Sequence, residues 1–353
     1  MAFYVSLLKI NAQHMRLFLI LLLWLSILST QAQSSLETAT SRKFSKYIGK
    51  YETNGLVVQV ALNNGSLVFV VPGAPLQEMI PVETNKFSSS SFKDAFFLFV
   101  EKEGRIIKMI SESPGSSVEL EKISDTADPV NVGDSLLTLK KSTEHFTFLY
   151  SEIDSISVGY IASRLERSYH KILSDFKIKG LPITMVRIYP DVKSFHQGIN
   201  FPNAPDYLLA TAFGKDDFRM PSPHSVDGKD SLNLINYVAH EFMHCVHLNI
   251  DYAPNNPRWL WEGVAMFEAD WFFDPKEIDA IKNKQFPPLA TLNNGMEYEL
   301  GYVIIEAIKD IWGFDTVINL IKKRGDVQAV LKLSQTQFDE KISDRIYLKY
   351  IKN

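Results

Sequence analysis

Apolar residues follow two rhythms along this chain, and the change of rhythm divides it. Between residues 43 and 122 they come in short runs, at 56–62, 67–71, 96–100 and 106–110. Turn-forming residues separate the runs: Asn63-Asn64-Gly65, Pro72-Gly73, Ser88 to Ser91, Glu103-Gly104 and Pro114-Gly115. Runs of this length with such punctuation predict an antiparallel β domain over 43–123. Residues 124–139, with Asp125, Asp128, Pro129 and Gly133, read as a linker. A strand at 145–150 then precedes a helix over about 153–176, whose Ile156, Ile161, Leu165, Tyr169 and Ile172 share one side. Another strand follows at 183–189, and the segments after Ser231 are mainly helical. Among them, 231–250 repeats Ile235, Val238, Ala239, Phe242 and Val246 every three or four positions, which is helical spacing. Strands followed by helices predict an α+β architecture for 140–353, with helix 231–250 lying across the sheet.

That helix carries His240-Glu241-Phe242-Met243-His244. Residues i and i+4 share a helix face, so both imidazoles point the same way and can grip one metal ion. Glu241, one position on, can reach a water on that metal and act as general base. A catalytic zinc takes three protein ligands, and the third should come from a separate element. The chain turns through Asp251 to Pro257, with two prolines and two asparagines, then restarts as Trp259-Leu260-Trp261-Glu262-Gly263-Val264-Ala265-Met266. A second helix packed on the first puts Glu262 opposite the histidine pair. Glu262 is then either the third ligand or a surface or capping carboxylate. His247 lies about 10 Å along the axis from His240, too far to share one ion with it, and reads as an outer neighbour or a solvated side chain. Glu268 can orient a zinc-bound histidine or form an ordinary helix salt bridge. His145, His170, His196 and His224 are isolated and read as structural or exposed, and Cys245 as a small core filler.

These motifs together resemble the gluzincin zinc metallopeptidases, especially the peptidase-MA-like branch related to aminopeptidase N and thermolysin. His240-Glu241-x-x-His244 is followed by Trp259-Leu260-Trp261-Glu262-Gly263-x-Ala265, and then by Tyr298-Glu299-Leu300-Gly301 ahead of an apolar helix. The resemblance covers about residues 140–353. It implies a thermolysin-like zincin domain, His240, His244 and Glu262 as zinc ligands, Glu241 as base, and Tyr298 as hydrogen-bond donor to the tetrahedral oxyanion. It also implies that the segments around Ala212-Phe213-Gly214 and Met220-Pro221-Ser222-Pro223 form the edge strand facing substrate. The Gly-x-Met-Glu-Asn segment, whose Glu binds the substrate amine in aminopeptidase N relatives, is replaced here by Phe213-Gly214-Lys215-Asp216-Asp217. Asp216, Asp217 or Glu268 are the acidic groups to take that place, with a solvated turn as the other reading of the Asp pair. The opening Tyr47-Ile48-Gly49-Lys50-Tyr51-Glu52 and the stretch from Pro72 to Val82 resemble the small β module appended to β-lactamase-related serine hydrolases. No Ser-x-x-Lys nucleophile accompanies it, so serine-hydrolase chemistry does not follow.

Composition narrows the function classes. A formal charge of −4 without a basic run disfavours nucleic acid and anionic membranes as partners. Arg16, the apolar run 17–28 and small residues up to Ala32 have the order of a secretory signal over 1–32, with Met15 the more typical start. The 12-residue run is short of the ~20 residues that cross a bilayer, and no cysteine follows it to take a lipid. Cleavage after Ala32 removes Lys9 and Arg16, taking the formal charge to −6. The expectation is an exported, periplasmic or secreted zinc peptidase acting on peptide or protein substrates, without stable membrane insertion. The alternative is a catalytically inactive zinc- or peptide-binding protein on the same scaffold.

Overall fold

A computed structural model describes residues 43–90, 94–113, 115–226, 228–292 and 295–352, with the side chains of 228–231 excepted. The expected signal, 1–32, lies outside these residues, as do Ser91 and Pro114 of the expected turns. The described chain forms two compact units, 43–71 with 76–129, and 72–75 with 130–352. Among the described residues no helix is long and apolar enough to cross a membrane.

The first unit is an antiparallel barrel of eight strands: β1 (Gly49–Thr53), β2 (Leu56–Asn63), β3 (Ser66–Val70), β4 (Gln77–Glu83), β5 (Lys86–Ser89), β6 (Phe96–Lys102), β7 (Arg105–Ser113) and β8 (Ser116–Ser124). Each strand pairs with the next, and β8 closes onto β1 through Tyr51↔Lys122 and Glu52↔Glu121. Two-residue loops make this possible. Asn54-Gly55 and Asn64-Gly65 both adopt positive φ, which Asn and Gly tolerate and which matches the right-handed twist of a hairpin. An eight-stranded barrel has an interior just wide enough for side chains to fill. Here Tyr47, Tyr51, Phe87, Phe97, Phe99 and Met109 fill it. The buried Tyr51 hydroxyl donates to the Tyr47 carbonyl at 2.6 Å, so no polar group is stranded there.

The second unit is built on a five-stranded sheet in the order β12-β13-β11-β10-β9. Its strands are β9 (Leu139–Ser142), β10 (Phe146–Tyr150), β11 (Thr184–Tyr189), β12 (Thr211–Ala212) and β13 (Asp217–Pro221). The central three run parallel, while β9 and β12 are antiparallel edges. Helix α1 (Ser157–Phe176) makes the crossover from β10 to β11. It buries Ile161, Leu165, Tyr169 and Ile172 as their spacing requires, but Ile156 precedes the helix and is 75% exposed. The remaining helices are α2 (Val192–Gly198), α3 (Gly228–Ile250), α4 (Arg258–Glu268), α5 (Asp279–Lys282), α6 (Met296–Glu299), α7 (Gly301–Trp312), α8 (Phe314–Lys322), α9 (Val327–Leu331) and α10 (Gln335–Tyr350). The architecture is therefore mixed, with a helical C-terminal half.

Helix α3 has two faces. Val238, Phe242 and Val246 join the core with Phe146, Phe148 and Tyr169, and Phe242 meets Phe146 edge-on at 5.1 Å. A fully buried side chain of this size contributes about 1.5–3 kcal/mol, so this face fixes how the helix lies. Cys245, the chain's one cysteine, is on the buried side with its Sγ 3.7 Å from the Asp217 carbonyl. The opposite face presents Tyr237, His240, Glu241 and His244 to a cleft. Helix α4 returns beside it in the opposite sense, since Trp261 meets His247 and His244 while Trp271, beyond its end, meets Tyr237.

One close approach sets the third wall. A Cβ on Gly301 would stand 2.8 Å from the Gly263 Cα, and one on Gly263 would stand 3.0 Å from the Gly301 carbonyl oxygen. Helices α4 and α7 thus cross backbone to backbone. The residue before Gly263 is Glu262, and three residues before Gly301 is Tyr298. The crossing is what brings those two side chains to one place.

Candidate metal centre

His240 Nε2 and His244 Nε2 are 3.0 Å apart, and Glu262 Oε2 lies 3.2 Å from the first and 3.4 Å from the second. All three side chains are buried, from 1% to 5% exposed. Glu262 Oε2 has no hydrogen-bond partner among the described residues. A buried carboxylate oxygen against two imidazoles, with no hydrogen bond made, is costly unless something charged sits between them. A tetrahedral ion with bonds of about 2.0–2.1 Å has ligand edges of about 3.3–3.4 Å. The observed triangle fits such an ion, and an N,N,O donor set suits Zn²⁺.

Glu241 is also buried, and its carboxylate lies within 4.8 Å of both imidazoles. Two carboxylates therefore compete for the role of ligand, and their electrostatics separate them. Burial alone would raise Glu262, but the two imidazoles outweigh it and hold its carboxyl well below the usual range. Burial pushes Glu241 up to about 7, with His244 opposing the rise and Glu262 adding to it. The group that stays ionised is suited to hold a cation, and the group poised near neutrality is suited to trade a proton. Burial, reinforced by His244, lowers His240 to about 4, which keeps the ring neutral, as a metal ligand must be.

Stacking holds the rings. Tyr237 lies parallel to His240 at 4.4 Å, and Trp261 to His244 at 4.3 Å. The Nδ1 atoms of both histidines lack hydrogen-bond partners among the described residues, so these aromatic faces do the orienting. Tyr298 also lies near-parallel to His240, at 6.2 Å, with its hydroxyl turned toward Glu262, and burial raises that phenol well above its ordinary value. The cleft, of about 1260 Å³, continues from these groups to β12, where Thr211 and Ala212 line it.

No protein-family model and no curated protein matches this chain. The site must be read from its own geometry.

His240, Glu241, His244, Glu262 and Tyr298 are brought together. Other sequence candidates are not. Glu268 is buried but faces α1, where its Oε2 pairs with Lys171 at 2.7 Å, so it orients neither histidine and does not line the cleft. Asp217 is no solvated turn residue: it is enclosed by Arg187 and Arg219, which tie β11 to β13. Asp216 is exposed outside the cleft. His247 is buried rather than solvated, tilted against Trp261 at 4.8 Å. On the cleft side the edge strand is β12, while Met220-Pro221 sits on the neighbouring strand β13, beyond the two residues that β12 pairs with. A second group, His145, Glu166 and His170, has metal-like spacing. There both Glu166 oxygens are already occupied by the His145 backbone N–H and Nδ1, so it serves as a clamp between β10 and α1. Sequence reasoning missed the orienting roles of Tyr237 and Trp261. Their signal was present, since Tyr237 is three residues before His240 and Trp261 adjoins Glu262.

Proposed function

We propose that the protein is a zinc-dependent peptidase of gluzincin type, with a thermolysin-like arrangement in residues 140–353. The observation that carries this reading is the triangle of His240, His244 and Glu262 with Glu241 beside it in a cleft. A divalent ion held there supplies Lewis acidity, acidifying a water and polarising a carbonyl. Glu241, ionised near neutral pH, accepts the proton of the attacking water and hands it to the departing amine. Tyr298 keeps its proton and donates a hydrogen bond to the oxygen on which charge develops, a contribution worth about 10²–10³ in rate. Strand β12 is the sheet edge that lines the cleft, and an extended peptide can lie beside it. The order of residues in 1–32 supports export of the mature chain.

The decisive test is Glu241→Gln with zinc content and turnover measured on one preparation. Zinc should stay near one equivalent per chain while cleavage of a diverse peptide library falls by at least about a hundredfold. Zinc retention with no loss of hydrolysis removes Glu241 from the mechanism. A wild-type protein that holds zinc and cuts nothing returns the non-catalytic alternative.

A further inference from the structure

The lining of the cleft is not uniform in chemistry. Along α3 the lining passes from Leu234 and Tyr237, through the metal ligands, to Leu248. At the Tyr237 end stand Trp271 and Phe273, with Trp271 edge-on to Tyr237 at 4.7 Å. That end is aromatic. Beyond Leu248 in the chain the lining includes Tyr252, in the turn after α3, and Arg258, at the start of α4. Arg258 is the first residue of α4, one helical turn before Glu262, so both side chains project from the same face.

Arg258 is held but not used up. Its Nε donates to Glu297 Oε1 at 2.6 Å, and the other Glu297 oxygen accepts from the Gly295 N–H at 3.0 Å. Glu297 is 1% exposed, so its side of the pairing is shielded from solvent, and it too lines the cleft. The Arg258 side chain is 47% exposed, and neither of its terminal nitrogens makes a hydrogen bond to a described residue. Its charge is felt by the Tyr237 and Tyr298 hydroxyls, which places it within Coulomb range of the reacting centre. A guanidinium fixed along one edge and open along the other is pre-arranged for a planar anion, and carboxylate is the anion peptides carry.

We propose that Arg258 makes its part of the cleft a carboxylate-binding subsite, so that preferred substrates carry a carboxylate there and an apolar side chain at the aromatic end. This rests on the peptidase reading for turnover, but not for binding. The carboxylate has two sources in a peptide, an Asp or Glu side chain and the C-terminus. A purely positioning role is the competitor: Glu297 adjoins Tyr298, so the ion pair also steadies the element bearing that phenol.

The experiment uses synthetic peptides chosen from wild-type cleavage sites, each made in matched forms with Glu or Gln and with a free or amidated C-terminus. Wild type should lose at least about tenfold in kcat/KM when the relevant carboxylate is neutralised, mainly through KM. The arm that responds identifies the source. In Arg258→Gln the ratio between charged and neutral forms should collapse toward one. Arg258→Lys, which keeps the charge beside Glu297 but lacks the fork, should give an intermediate ratio. Indifference of wild type to both neutralisations overturns the proposal. So does a kcat loss in Arg258→Gln that is equal for charged and neutral forms and leaves the ratio intact. Binding of the same peptides to Glu241→Gln, by fluorescence anisotropy with and without Arg258→Gln, separates the two readings. If nothing is cut, peptides for this arm are drawn from those the Glu241→Gln protein retains. Carboxylate-dependent binding that needs Arg258, without turnover, sinks the peptidase and keeps the subsite. Binding blind to the carboxylate sinks the subsite.

Discussion

At the scale of single residues, two carboxylates share one buried site and are driven apart. Glu262 stays ionised because two imidazoles face it, whereas Glu241 rises because burial dominates. The first consequence concerns metal. Glu262→Ala should weaken zinc binding by more than about a hundredfold, beyond the 10–100-fold typical of lost outer-shell partners. His247→Ala should leave zinc at one equivalent and cost only packing, since its ring touches Trp261 and not the triangle. Equal zinc losses in elemental analysis of the two variants would mean the wrong third ligand. The second consequence concerns pH. Glu241 works as a base only when ionised, so kcat/KM should fall about tenfold per unit as pH drops through its pKa. Burial sets that value at about 7, and a bound dication, by favouring the anion, moves it lower. The acid limb should therefore centre below 7, and a limb centred above 7 in the zinc-loaded enzyme contradicts this assignment.

Among elements, the crossing of α4 and α7 decides whether the site assembles. Ala ordinarily favours a helix over Gly by about 1 kcal/mol, so Gly301→Ala would stabilise an isolated helix. Here the new methyl meets the Gly263 backbone at 2.8 Å, and overpacking of this kind costs about 1–3 kcal/mol. The variant should melt earlier in calorimetry and lose kcat, because Glu262 and Tyr298 are pushed apart. A higher melting temperature with full activity would show the crossing to be slack. The sequence made much of this legible. Helices α3 and α4 followed from apolar spacing and from the prolines and asparagines between them, as did the shared face of His240 and His244, while Glu262 stood from spacing as either a ligand or a capping carboxylate. The barrel's closure was not legible: β4 and β8 expose most of their residues and scatter their apolar ones, so they carry no apolar run like those that marked β2, β3, β6 and β7. Strand β12 has two residues, too few to show any period. Glu268 misled because six residues turn the helix about 120° away from Glu262, onto another face, and the partner that claims it, Lys171, is remote in sequence.

Across the whole molecule, the cleft follows α3 from Asn233 to Leu248, a rise of about 22 Å, or about seven residues of extended peptide. The triangle of His240, His244 and Glu262 sits part-way along, with lining residues to either side. None of the three acidic groups expected to capture a substrate amine, Asp216, Asp217 and Glu268, lines it. Internal bonds should therefore be cut at least as well as terminal ones. Acetylated and free forms of one peptide should give kcat/KM values within a few-fold of each other, and a strong preference for the free form would point to Glu299, the exposed carboxylate that does line the cleft.

The lone thiol has a further consequence. Cys245 lies one residue past His244, fully enclosed between α3 and β13, and burial raises its pKa well above that of an ordinary thiol. A protonated, enclosed sulfur is inert toward oxidants. It reacts only when α3 lifts from the sheet. The rate at which a thiol reagent consumes it thus reports the opening of the very helix that carries both histidines, and slowing of that rate by added zinc would read out, without any introduced label, how firmly the ion fastens that helix in place.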